Sequence, residues 1–138
     1  MADVDFVIES VAENLDIKKS VWAEVEHAAP KDAILSTNTS GLSPTALQSV
    51  LKKPERFVVA HFWNPAQLMP LVEVVPGEKT DPKVVDITFD LMAKIGKKPA
   101  KIKKESLGFV GNRLQLAVLR EAFYISSRAS RTRPPWTT

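Results

Sequence analysis

The sequence predicts a layered α/β domain followed by one long helix, and three observations carry that reading. Short apolar runs alternate with stretches of helical period, in the order strand, helix, strand, short helix, strand, strand, helix, strand, helix. Prolines, glycines and polar clusters separate them. Several strands run straight into polar segments, which puts Glu13, Asn38, Ser40, His61 and Asn64 near sheet ends. An open parallel sheet takes its ligands at the carboxyl ends of its strands, so these residues are expected along one rim.

Asp5-Phe6-Val7-Ile8 is the first strand. Leu15, Trp22, Val25 and Ala29 then form one helical stripe, widened by Ile17 and Val21, with Asn14 as N-cap and Pro30 at the exit. Ala33–Ser36 is a second buried strand, closed by the polar cluster Thr37-Asn38-Thr39-Ser40-Gly41. Ser43-Pro44 supplies a cap and a first helical position for a short helix to about Leu51. Phe57–Ala60 and Leu71–Val75, rich in β-branched residues and bounded by prolines, are the next two strands. Asp81-Pro82 opens a helix with Val84, Ile87, Leu91 and Ile95 in register and Gly96 past its end. Ala100–Lys103 alternates like an edge strand. The last helix, about Val110 to Ile125, is apolar on several sides, so most of its circumference should meet other protein.

Composition narrows the class. With 44% hydrophobic and 25% charged residues, the 138-residue chain reads as one soluble globular unit. No apolar run approaches the roughly 20 residues of a membrane span, and the first residues lack the pattern of a signal peptide. The absence of cysteine excludes disulfides and thiolate metal sites and agrees with a cytoplasmic location. Net charge is +3, but residues 126–138 hold Arg128, Arg131 and Arg133 without an acid, so the remainder nets zero. The basicity belongs to the tail, which reads as disordered, and nucleic acid is not an expected partner.

His61 ends one strand and Glu73 lies inside the next, surrounded by Leu71, Val72, Val74 and Val75. A lone carboxylate there is costly to bury unless paired, and His61 is the obvious partner. A histidine held by a carboxylate suits a general base near neutral pH. It is equally a core histidine satisfied by its neighbour, and residue types alone leave the two readings even. The Ser36–Ser40 cluster, Asn64-Pro65 and Asn112 each read first as turn or cap chemistry. No H-E-x-x-H, G-x-G-x-x-G or P-loop is present, and no metal site is expected.

Together these segments identify a family. Asp5-Phe-Val-Ile-Glu-Ser-Val-Ala-Glu-Asn-Leu15, Ser36-Thr-Asn-Thr-Ser40, His61-Phe-Trp-Asn-Pro65, Leu71-Val-Glu-Val-Val75 and Gly108-Phe-Val-Gly-Asn-Arg-Leu114 occur in order. On these the chain resembles the 3-hydroxyacyl-CoA and 3-hydroxybutyryl-CoA dehydrogenases from about Asp3 to Ile125. The resemblance implies oxidation of a (3S)-3-hydroxyacyl-CoA to the 3-ketoacyl-CoA, with NAD as cofactor, in fatty-acid β-oxidation. It implies that His61 takes the proton from the 3-hydroxyl while Glu73 orients it. Ser40 contacts the substrate hydroxyl and lies close to the cofactor, and Asn112 completes the catalytic group. Glu13, Lys18 and Asn64 line the nicotinamide side.

The same resemblance implies a partial Rossmann-like sheet, the C-terminal half of an NAD-binding domain over residues 1–105. Residues 106–125 would be the first helix of a helical domain that dimerises in the family, and 126–138 lie outside the pattern. The glycine-rich turn that holds the pyrophosphate is not in the sequence, so weak NAD binding is expected of the chain by itself. Two other readings stand beside this one. One is a related dehydrogenase of hydroxy or sugar acids; the other is a non-catalytic remnant or interaction fragment of the same fold.

Overall fold

Five short strands pair side by side in the order in which they occur. The computed structural model describes residues 3–129. Its elements are β1 (Phe6–Glu9), α1 (Leu15–Ala28), β2 (Ile34–Thr37), α2 (Pro44–Gln48), β3 (Phe57–Phe62), β4 (Leu71–Pro76), α3 (Pro82–Lys94), β5 (Lys98–Lys101) and α4 (Gly111–Ala129). A single 3-10 turn, Pro54–Arg56, leads into β3. Strands β1, β2 and β3 are parallel, β4 turns back antiparallel to β3, and β5 runs parallel to β4. The expected α/β sheet with its rim at the ends of parallel strands is present.

Period-two alternation sorts the strand residues between two faces. Leu35 and Phe57 pack with Trp22, Leu47 and Leu51 under α1 and α2. Ile34, Val58, Ala60, Val72 and Val74 pack against Met92 under α3. Trp22 meets Phe57 edge to face, with centroids 5.1 Å apart. His61 has the parity of Phe57 and Val59, and Glu73 that of Val75. Both therefore lie on the face that Phe109 covers beside Val59 and Val75.

The helix starts follow their caps. Asn14 Oδ1 accepts from the amides of Asp16 and Ile17, Ser43 Oγ from Ala46, and Asp81 Oδ1 from Lys83. Gly96, at φ 84°, ends α3 as expected. Among the boundaries that differ from the sequence reading, three have a local cause or consequence. α2 stops at Gln48 rather than near Leu51, and there the side chain of Glu26 accepts the amides of Lys52 and Lys53. The edge strand lies two residues earlier, where Lys98–Lys101 pairs with β4. α4 continues through Ile125 to Ala129, because Ser-Ser-Arg-Ala contains no helix breaker. The rest of the proposed tail lies outside the described residues. From Arg113 to Arg128 every residue of α4 is exposed, including Leu116, Val118 and Phe123.

Candidate active site

The antiparallel register sets His61 directly opposite Glu73. Both are buried, and Nδ1 of the imidazole lies 3.0 Å from Oε2 of the carboxylate. Glu73 has three further partners. The Trp63 indole N–H donates to Oε2 at 3.2 Å, and the amides of Val110 and Gly111 donate to Oε1 at 3.1 and 3.0 Å. Burial alone would raise this carboxyl. The bonds from Gly111, His61, Trp63 and Val110 outweigh it and hold Glu73 below its ordinary value of 4.5.

An ionised carboxylate only accepts hydrogen bonds, so neutral His61 must carry its proton on Nδ1. Nε2 then presents a lone pair, and among the described residues no protein group bonds it. The ring is wedged between Trp63 and Phe109, with centroids at 5.7 and 5.6 Å. Phe109 reaches this place through a turn in which Gly108 and Phe109 have φ of 72° and 49°. A hollow of about 630 Å³, lined by Phe109, Val110, Arg113, Leu114, Ala117 and Arg120 among others, opens along α4.

The other expected residues gather on the rim above. Glu13 Oε1 accepts from Thr39 Oγ1 at 2.6 Å and from the amides of Ser40 and Gly41 at 2.8 and 3.1 Å. Burial raises its carboxyl, while the Thr39 hydroxyl, the Ser40 amide, the Lys18 charge and the Gly41 amide lower it further, leaving a net downward shift. The loop so held exposes Ser40, whose hydroxyl has no bond within the described residues. Asn112 Nδ2 donates to the Ser40 carbonyl at 2.8 Å, so α4 and the β2 loop close over the same edge. Asn38 ties the strand ends together, accepting the Phe62 amide at 2.8 Å. Asn64 is exposed on the cis Asn64–Pro65 turn after β3.

Lys18 lies elsewhere in kind. Its side chain is 1% exposed, with Nζ 2.6 Å from Glu9 Oε1 and 3.7 Å from Glu13 Oε2. It reaches the rim only by helping to place Glu13.

The sequence reading gave no role to Trp63, Glu9 or the amides at the start of α4. The indole stands two residues after His61 and ten before Glu73, a spacing that does not mark the acid as its acceptor. Backbone donors carry no sequence signal at all. Glu9 was hidden because its partners, Lys18, Thr37 and the Val11 amide, converge only in the fold.

The residues present fit the nicotinamide end of a dinucleotide. Exposed hydroxyl and amide groups at Ser40 and Asn64 stand on the loops that follow the carboxyl ends of β2 and β3, the second of which carries His61. They do not form a pyrophosphate cradle, since the first amides of α1 are taken by Asn14 and Asp16 adds a negative charge there.

Residues 1–106 match the family model of the 3-hydroxyacyl-CoA dehydrogenase, NAD binding domain. The chain is 48% identical over 126 residues to L-carnitine dehydrogenase from Mesorhizobium japonicum, covering 91% of this chain and 35% of that protein. A solved 5-formyl-3-hydroxy-2-methylpyridine 4-carboxylic acid 5-dehydrogenase, described as an NAD+ dependent dismutase, superposes with a TM-score of 0.87. It is 42% identical over 90% of this chain and 40% of that one. The (S)-3-hydroxybutyryl-CoA dehydrogenase of Ralstonia eutropha gives a TM-score of 0.86 at 33% identity, over 95% of this chain and 45% of that one. The chain thus spans less than half the length of each. These relatives have different named substrates; the dismutase is described as NAD+ dependent, and the matching family model is itself an NAD binding domain. The chain belongs to the family of NAD-binding domains of the 3-hydroxyacyl-CoA dehydrogenases.

Proposed function

We propose that this chain carries the proton-abstracting part of an NAD-dependent dehydrogenase that oxidises a secondary alcohol at the 3-position of a carboxyl or thioester compound. The observation that supports it best is the His61 ring, tethered at Nδ1 by an ionised Glu73 and open at Nε2. His61 Nε2 would take the hydroxyl proton as the carbon gives up its hydride. The nicotinamide of NAD supplies the hydride acceptor. Glu73 fixes the tautomer and stabilises the imidazolium that forms. Ser40 would hold the substrate oxygen, and Asn112 would set the loop that presents Ser40 through its bond to the Ser40 carbonyl. Glu13 and Asn64 would line the nicotinamide side, with Lys18 acting on it through Glu13. In this reading residues 1–105 are the C-terminal half of the dinucleotide-binding domain, and α4 begins the helical domain that follows.

Two substrates compete. The family model favours a 3-hydroxyacyl-CoA. The 48% identity to an L-carnitine dehydrogenase favours L-carnitine, a free 3-hydroxy acid, and this is the stronger match over the chain. The same base serves both, because the reacting carbon bears its hydroxyl in the same relation to the carboxyl-type carbon. The test is NADH formation by the protein carrying this chain, offered L-carnitine or 3-hydroxybutyryl-CoA. One of the two should be turned over, and His61→Ala should lower that turnover about 10²–10⁴-fold. Near-normal turnover in His61→Ala would remove the proposed base.

A further inference from the structure

Gly111 opens α4 although glycine is among the poorest helix formers. Its backbone has no positive φ to explain the choice. Space explains it. A Cβ on Gly111 would overlap Cζ2 of Trp63 and come within 3.0 Å of Cε2 and 3.1 Å of Cη2. The same indole donates to Glu73 Oε2, and the Gly111 amide donates to Oε1 of that carboxylate.

We propose that Trp63 and Gly111 are matched positioning residues for the His61–Glu73 dyad. The indole fills the volume that any side chain at position 111 would need, and so lets the first turn of α4 close on the carboxylate that the indole itself holds. The proposal rests on the reading of the dyad as base and orienter. It adds that the orienter is held in part from beyond residue 106, where the family match ends. Three of the four donors to Glu73 come from this contact: the indole, the Val110 amide and the Gly111 amide. The fourth is His61 itself. Withdrawing the helix start by the width of a methyl group would leave the carboxylate with the two donors on Oε2 and none on Oε1. A carboxylate so freed can turn, and the Nδ1–H it accepts loses its fixed partner. The first turn of α4 also carries Asn112, whose bond to the Ser40 carbonyl would move with it.

The test uses the full 138-residue chain labelled with ¹⁵N. The buried Nδ1–H of His61 and the Trp63 indole N–H should each give a slowly exchanging proton signal. Gly111→Ala should erase the imidazole signal and speed indole exchange about tenfold or more. Trp63→Phe keeps a ring against His61 but removes the overlapping atoms. In that background the change to alanine at 111 should therefore leave the imidazole signal in place and lower the urea midpoint far less than in the native background. Survival of both signals in Gly111→Ala overturns the proposal, as does an equal midpoint loss in the two backgrounds. Should Gly111→Ala not fold, the double variant decides. A folded double variant with the imidazole signal supports the pairing, and an unfolded one overturns it. The catalytic reading fails separately, through turnover that survives His61→Ala, and that result would leave the two signals of the unsubstituted chain as they are.

Discussion

Two buried glutamates, one at the end of β1 and one inside β4, each have a basic side chain within hydrogen-bond distance, and their surroundings differ. Glu9, at the end of β1, binds Lys18, Thr37 and the Val11 amide; both charged side chains are 3% exposed or less. Lys18 donates besides to the Val11 carbonyl and lies 3.7 Å from Glu13, so its charge is spent on protein groups. Glu73 is as well satisfied, yet its partner is a ring with two nitrogens, and only one faces the carboxylate. If His61 is the base proposed above, burial and pairing alone do not mark a reactive group, and a titratable atom left over after the pairing does.

The sharpest way to break this comparison is to delete each basic partner in turn. Lys18→Met removes the ion-pair partner of the buried Glu9, leaving its carboxylate with Thr37 and the Val11 amide, and should cost about 3–5 kcal/mol of stability. His61→Gln leaves Glu73 with its indole and two amides, and the new amide can still donate, so the loss should be about 1 kcal/mol. Urea denaturation of both variants measures this directly. Equal costs would make His61 another closed structural pair.

Acid gives a smaller and more selective probe. Glu73 and Glu13 are both held below the ordinary value of 4.5. A carboxyl that ionises more readily when folded adds stability that is complete above the unfolded value and is lost as pH falls through the folded one. The urea midpoint should therefore decline as pH drops below about 4.5, and Glu73→Gln should flatten that decline. Glu13→Gln should flatten it less, since the Glu13 side chain is 44% exposed and water screens its bonds. An unchanged acid limb in Glu73→Gln would mean that the donors do not stabilise the charge as the geometry implies.

How much of this was legible beforehand follows from which interactions are local. Asn14, Ser43, Asp81 and Gly96 each act within a few residues, and all four appear where the sequence puts them. Strands at Phe57–Ala60 and Leu71–Val75 were legible from composition; the structure extends them to Phe62 and Pro76 and pairs them antiparallel. That pairing made His61 and Glu73 meet. The donors from α4 were not legible, because backbone amides look alike at every position and 37 residues separate Val110 from Glu73. Lys18 was placed on the nicotinamide side by the family resemblance alone, and its pairing with Glu9 carried no separate sign in the sequence. Trp63 was read as part of a motif, since an indole N–H declares a role only when its acceptor is in view.

Helix capping tests the same division at its smallest scale. α1 is capped by Asn14, whose side chain reaches amides two and three residues on. α4 receives its first donors' acceptor from Glu73 on a distant strand. Asn14→Ala should cost about 1 kcal/mol and nothing more, because a local cap stabilises only the turn that it closes. The imidazole proton signal of His61 should stay where it is. Loss of that signal in Asn14→Ala would show that the start of α1 is coupled to the dyad through Glu13 and the Thr39–Gly41 loop. In that case the Glu9 and Glu73 regions would form one cooperative unit, and the contrast between a closed pair and an open one would lie in His61 alone.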